Sequence, residues 1–193
     1  MTLPSFPPLM ACASWWECYL AALLRGGGES EAIASANRLG GLRRRDWMRM
    51  SIAGGAVLSL PVRGGASALK NRDPESWEMA PEAVRERRKA AATLATVYGR
   101  EPFFRFLDHE LLIPEAPTAR ETCVLAFHAV SRILGLDDEA LLSMLRSRTA
   151  PPGDPLARAE ALRCRKGVDP SLSILDALFR LGPDAIFALL EPF

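Results

Sequence analysis

A mixed α and β domain, with a small sheet covered by helices and a mainly helical second half, follows from three features of the sequence. Two alternating apolar runs flank Gly54-Gly55. From Pro81 onward, apolar residues return at helical spacing. Near the end, Ile174, Leu175, Leu178 and Phe179 make one apolar helix face. The first feature reads as a β-hairpin and the other two as amphipathic helices. The expected layout is a single domain over residues 1–193, with its sheet in about 1–78 and a helical part in about 79–193.

Each element has a local reason. The opening Thr2-Leu3-Pro4-Ser5-Phe6-Pro7-Pro8 is too proline-rich for a helix and reads as an extended segment or edge strand. The apolar stretch 9–24 then reads as a buried helix ended by Gly26-Gly27-Gly28. Residues 31–36 read as a short strand. In 47–62, Met48, Met50 and Ile52 alternate with Trp47, Arg49 and Ser51, which puts Trp47 and Arg49 on one face. Gly54-Gly55 supplies a two-residue loop. Residues 63–73 read as a loop. The helix after Pro81 buries Val84, Ala91, Leu94 or Ala95, and Tyr98, and stops at Gly99. Glu101-Pro102 then opens an aromatic segment at Phe103 and Phe104. Thr118-Ala119-Arg120-Glu121 is a capping box, starting a helix that buries Cys123, Phe127, Val130 and Leu134. Asp137 or Asp138 caps the next helix, residues 149–155 form a loop, and Ser171 caps the last long helix. Gly182 ends that helix and Pro183 begins another.

Composition narrows the function classes. A hydrophobic share of 49% and a charged share of 24% are ordinary for a globular chain. The net charge of +1 argues against a nucleic-acid partner. The 9–24 stretch carries Glu17 and has no basic residue before Arg25, unlike a signal peptide, and it is short for a membrane span. Cys12, Cys18, Cys123 and Cys164 form no CxxC pair, so no metal site is expected and free thiols in a cytoplasmic setting are the simplest reading. No P-loop or GxGxxG occurs, so no cofactor is expected. Oligomeric state leaves no trace in the sequence.

Three stretches together resemble the WbqC-like family, in its Bacteroidetes-type version. They are Arg43 with Met48-Arg49, Ile52, Gly55 and Leu58-Ser59-Leu60-Pro61-Val62; then Tyr98-Gly99-Arg100-Glu101-Pro102-Phe103-Phe104; then Pro170-Ser171-Leu172-Ser173-Ile174-Leu175-Asp176-Ala177-Leu178-Phe179 with Gly182-Pro183. They occur in family order and span nearly the whole chain. Met48 stands where the family has asparagine, Arg43 where it has lysine, and Arg158, Ala159 and Glu160 where it often has tyrosine and glutamine. The resemblance implies a transferase of surface-polysaccharide or O-antigen assembly, acting on a sugar nucleotide or an N-acyl group. The alternative is a non-catalytic binding or scaffold member that has lost polar site residues.

The candidate site residues carry open alternatives. Arg43 and Arg49 suit a phosphate-bearing small molecule, because a guanidinium holds phosphate with two parallel bonds. A solvated basic loop, with Arg49 paired to a carboxylate, is the commoner fate of arginines. Asp176 is the candidate catalytic carboxylate, or else the partner of an arginine such as Arg49. Ser173 shares its helix face and is a candidate ligand contact or a helix-start cap. Tyr98 is a further candidate ligand contact, although an aromatic at that spacing is more often core. His109, between Asp108 and Glu110, is a surface residue or a general base, and no triad pattern surrounds it.

Overall fold

The computed structural model describes residues 3–107, 114–148, 169 and 171–190. The loop expected at 149–155, Cys164, His109 and the positions 158–160 lie outside the described residues. The elements run α1 (Ala13–Leu24), α2 (Glu29–Leu39), β1 (Arg49–Ser51), β2 (Val57–Ser59), α3 (Gly65–Asn71), α4 (Ala83–Tyr98), α5 (Phe104–Leu107), α6 (Ala119–Ile133), α7 (Glu139–Arg148), α8 (Ile174–Leu181) and α9 (Ala185–Leu190). The mixed α and β class holds, with the helices dominant. Among the described residues, no helix is long and apolar enough to cross a membrane.

The first layer is α1 against α2. Gly28 and Gly40 bound α2, and Ala32, Ile33, Ala36 and Asn37 form its buried side. The strand expected at 31–36 is therefore a helix. Alanine is the best helix former, and Glu29 and Glu31 in the first turn complement the helix dipole. Trp15, Trp16, Tyr19 and Phe127 form the centre of the core. Trp15 stacks on Tyr19 and Trp16 stacks on Phe127, with centroids 5.6 and 5.2 Å apart, and the two stacks meet edge-on. The capping box of α6 is present as expected, with Thr118 and Glu121 each accepting from the other's backbone N–H.

The hairpin pairs Arg49 with Ser59, Met50 with Leu58 and Ser51 with Val57. Its loop is longer than the sequence suggests. Ile52 N–H donates to Ala56 C=O at 3.0 Å, which encloses the three residues Ala53, Gly54 and Gly55. Both glycines have positive φ, as such a loop requires. Trp47 and Arg49 do not share a face. Trp47 follows a single 3-10 turn at Arg44–Asp46 in helical conformation, so the two-residue alternation starts after it. Trp47 is buried while Arg49 is exposed.

The rest of the first half departs from expectation in similar ways. The segment 63–73 contains α3 rather than an open loop. The opening prolines pair with no strand; Leu9 N–H donates to Trp47 C=O at 2.8 Å just beyond them. In α4 the buried positions are Ala83, Ala90, Leu94 and Tyr98, so Val84 and Ala91 face outward or lie half-buried. Asp138 rather than Asp137 caps α7, accepting from Ala140 and Leu141 N–H. The cap of α8 is Ser173 rather than Ser171, because the Ser173 hydroxyl accepts from Leu175 N–H at 3.3 Å.

Candidate functional site

Three distant stretches meet at one cleft: residues 8–12, 41–51 and 171–173. Backbone bonds fix them together. Ala13 N–H donates to Leu172 C=O (3.0 Å), Ile174 N–H to Ala11 C=O (2.9 Å), and Ser173 N–H to Ser51 C=O (2.7 Å). The N-terminal ends of α1 and α8 and the end of β1 are thereby held against one another. The cleft they enclose has a volume of about 290 Å³. Arg43, Arg49, Asp46, Ser51, Ser171 and Cys12 give it a polar side, and Pro8, Met10, Leu42 and Val57 give it an apolar side.

The arginine run divides its labour. Arg44 lies 5.4 Å from the Trp77 ring centroid and donates to Arg72 C=O, so it fastens the chain to the core. Arg45 Nε lies 3.7 Å from Asp46 Oδ2. Arg49 Nη1 lies 3.2 Å from Asp46 Oδ1, with its side chain 48% exposed. Arg43 lines the cleft and is exposed. The cleft is thus lined by the two guanidinium groups of Arg43 and Arg49 and the one carboxylate of Asp46, which leaves a net positive charge. The pairing of Arg49 with a carboxylate, anticipated as one alternative, is present and its partner is Asp46.

A larger groove of about 370 Å³ lies between the start of α4 and residues 114–118. Its arginines are already matched: Arg63 with Glu78 at 3.1 Å and Arg87 with Glu115 at 2.5 Å. Balanced pairs leave little charge to attract an ion. The smaller cleft, where Arg43 makes no ion pair among the described residues, therefore carries the greater net positive charge.

The other candidates lie elsewhere. Asp176 does not line the cleft. It is 1% exposed and lies 3.3 Å from Arg180, one turn further along α8, so its arginine partner is not Arg49. Tyr98 is buried against Phe179, and its hydroxyl accepts from Ala53 N–H at 2.9 Å, which ties α4 to the hairpin loop. Ser173 does line the cleft, but its hydroxyl is committed: it donates to Met10 C=O at 3.0 Å and accepts from Leu175 N–H. The helix-start role therefore fits Ser173 better than a ligand contact. Ser51 is a cleft residue that sequence reasoning did not single out. The signal for Ser51 was present, since it lies two residues from Arg49 on one strand face.

Burial raises the Asp176 carboxyl above its ordinary value of 3.8, against the opposing pull of Arg180 and the Tyr98 hydroxyl. Glu101 and Asp169 add to the rise. A raised folded-state value means that the folded protein binds the proton more tightly than the unfolded chain. That contribution to stability is complete below 3.8 and is lost as pH rises through the raised value. Asp176→Asn mimics the protonated form. It is expected to melt no lower than the parent at pH 7 and to flatten the pH dependence of melting. A variant that melts well below the parent at pH 7, with a parallel pH curve, would show that the charged carboxylate is a net stabiliser.

No family model, curated protein or solved structure matches this chain, so its own cleft carries the functional reading.

Proposed function

We propose that this chain is a WbqC-like protein whose cleft binds a phosphate-bearing small molecule, such as a sugar nucleotide. In this reading it is a cytoplasmic transferase of surface-polysaccharide or O-antigen assembly. One observation carries the binding reading: Arg43 and Arg49 line a single cleft with Ser51 and Ser171. Two of the three stretches that resemble the family, some 120 residues apart in the chain, supply these residues. The chemistry suits phosphate, since paired guanidinium groups offer several charge-assisted donors.

A second reading has its own support. Asp46 is the only carboxylate among the described residues lining the cleft, and it is engaged by Arg45 and Arg49. Asp176, the candidate catalytic group, is buried away from it. A binding or scaffold member of the family would look the same.

Ligand-induced thermal shift tests the binding reading, because a ligand that binds only the folded state raises the melting temperature. UDP-glucose, GDP-mannose and inorganic phosphate at millimolar concentration are suitable probes. A shift is expected for at least one of them. Arg43→Ala and Arg49→Ala should each weaken binding about tenfold, while far-ultraviolet circular dichroism stays unchanged. A flat response across all probes would remove the phosphate reading. Binding without turnover of any donor would favour the scaffold reading.

A further inference from the structure

We infer that the cleft takes a phosphate monoester of monosaccharide size, and that Asp46 is a built-in carboxylate which such a phosphate displaces from Arg49. The inference rests on the phosphate reading of the cleft and narrows it, with a sugar phosphate in place of the sugar nucleotide as the preferred ligand.

Size comes first. At about 290 Å³ the cleft lies at the lower edge of ligand pockets, which run from about 300 to 1,000 Å³. One sugar ring with one phosphate is a ligand of that scale. A nucleoside diphosphate sugar, with a base, two sugars and two phosphates, is roughly twice as large.

Charge comes second. Asp46 sits in the single turn Arg44–Asp46 and contacts Arg49 at 3.2 Å and Arg45 at 3.7 Å. Its carboxylate occupies an arginine that lines the cleft, as a ligand's anionic group would. An incoming anion must compete with it. A phosphate monoester carries close to two negative charges at neutral pH and three acceptor oxygens, against the single charge and two oxygens of a carboxylate. It also finds Arg43 beside the cleft, which makes no ion pair among the described residues. A monoester therefore has more to gain from the two guanidinium groups than a carboxylate or a singly charged diester phosphate has.

The displaced group remains useful. Asp46, freed from Arg49 but still beside Arg45, accepts hydrogen bonds from sugar hydroxyls. Ser51 and Ser171 line the same cleft, and Ser171 is held by Asp169 through its hydroxyl at 2.6 Å. Val57, Leu42 and Met10 offer an apolar wall for the carbon face of a ring.

Calorimetric titration of the intact protein with glucose 1-phosphate, inorganic phosphate, UDP-glucose and glucose tests each part. Glucose 1-phosphate is expected to bind about fivefold or more tightly than either inorganic phosphate or UDP-glucose, and glucose alone not measurably. Asp46→Asn is expected to tighten inorganic phosphate binding about fivefold, since the competing charge is gone and the amide keeps the shape. Asp46→Ala should do the same if folding is intact by circular dichroism. Tightest binding by UDP-glucose would overturn the size inference. Unchanged or weaker phosphate binding in both Asp46 variants would overturn displacement. Loss of all phosphate binding in the parent protein is a different result, because it removes the underlying phosphate reading itself.

Discussion

Trp15→Ala should lower the unfolding free energy by about 5 kcal/mol. The side chain is 0% exposed and touches Trp16, Tyr19 and Phe127. Truncating a large buried aromatic costs about 3–5 kcal/mol, because the cavity collapses only partly. A second cost follows from one hydrogen bond. Trp15 Nε1 donates to Asn37 Oδ1 at 2.9 Å, while the Asn37 amide donates to Pro4 and Phe6 C=O. Alanine leaves the Asn37 oxygen buried without its donor, at about 1–3 kcal/mol. Asn37 joins α2 to the opening prolines, so the loss spreads to the segment that leads into the cleft. For a chain of this length the sum corresponds to a fall in melting temperature on the order of 15 °C. Trp15→Phe separates the terms, keeping most of the volume while removing the donor. It should lose only about 1–3 kcal/mol. Equal losses in the two variants would show that the hydrogen bond, and not the packing, dominates.

Much of this architecture is legible in the sequence wherever a local rule and the tertiary context agree. The capping box at Thr118 and Glu121 needs only two side chains and two adjacent backbone amides, so nothing distant can overrule it. The apolar face Ile174, Leu175, Leu178 and Phe179 is buried as its spacing implies. Misreadings arise where a short segment has a weak pattern. Residues 31–36 are alanine-rich, and their apolar positions satisfy either period; packing against α1 selects the helix. Trp47 follows the alternation in sequence but not in space, because the turn at Arg44–Asp46 rotates it inward.

The cleft was half legible for a different reason. Arg43 and Arg49 were identifiable as residue types that bind anions. Which of the four arginines between 43 and 49 face a ligand depends on distant partners. Trp77 and Arg72 capture Arg44, and neither lies near it in sequence. Asp176 illustrates the converse. Its place among apolar residues marked it as unusual, and burial does perturb it. The perturbation comes from burial, with Arg180 inside the fold opposing it, and only three-dimensional placement separates such a pair from a site in a cleft. Perturbed carboxylates mark functional sites and structural ion pairs alike.

Gly182→Ala is expected to cost about 2–4 kcal/mol, from a backbone conformation that needs glycine and from a close contact with a ring. Gly182 ends α8 with φ +60° and ψ −140°, a conformation that residues with a Cβ avoid. A Cβ there would also lie 2.6 Å from the Phe103 ring. Phe103 cannot simply withdraw, because its N–H donates to Phe179 C=O at 3.0 Å and holds the segment before α5 on α8. Gly54 in the hairpin loop has φ +78° with nothing within 4 Å of its absent Cβ. Gly54→Ala therefore carries the conformational cost alone, about 1–2 kcal/mol. Thermal melting of both variants should show Gly182→Ala falling on the order of 10 °C and Gly54→Ala by less than half of that. Equal shifts would mean that the Phe103 contact contributes nothing and that the backbone conformation alone fixes glycine at position 182. A wide gap would be shared between the rarer backbone conformation of Gly182 and the Phe103 contact at the C-terminal end of α8, and removing the ring in Phe103→Ala should recover the part that the contact contributes.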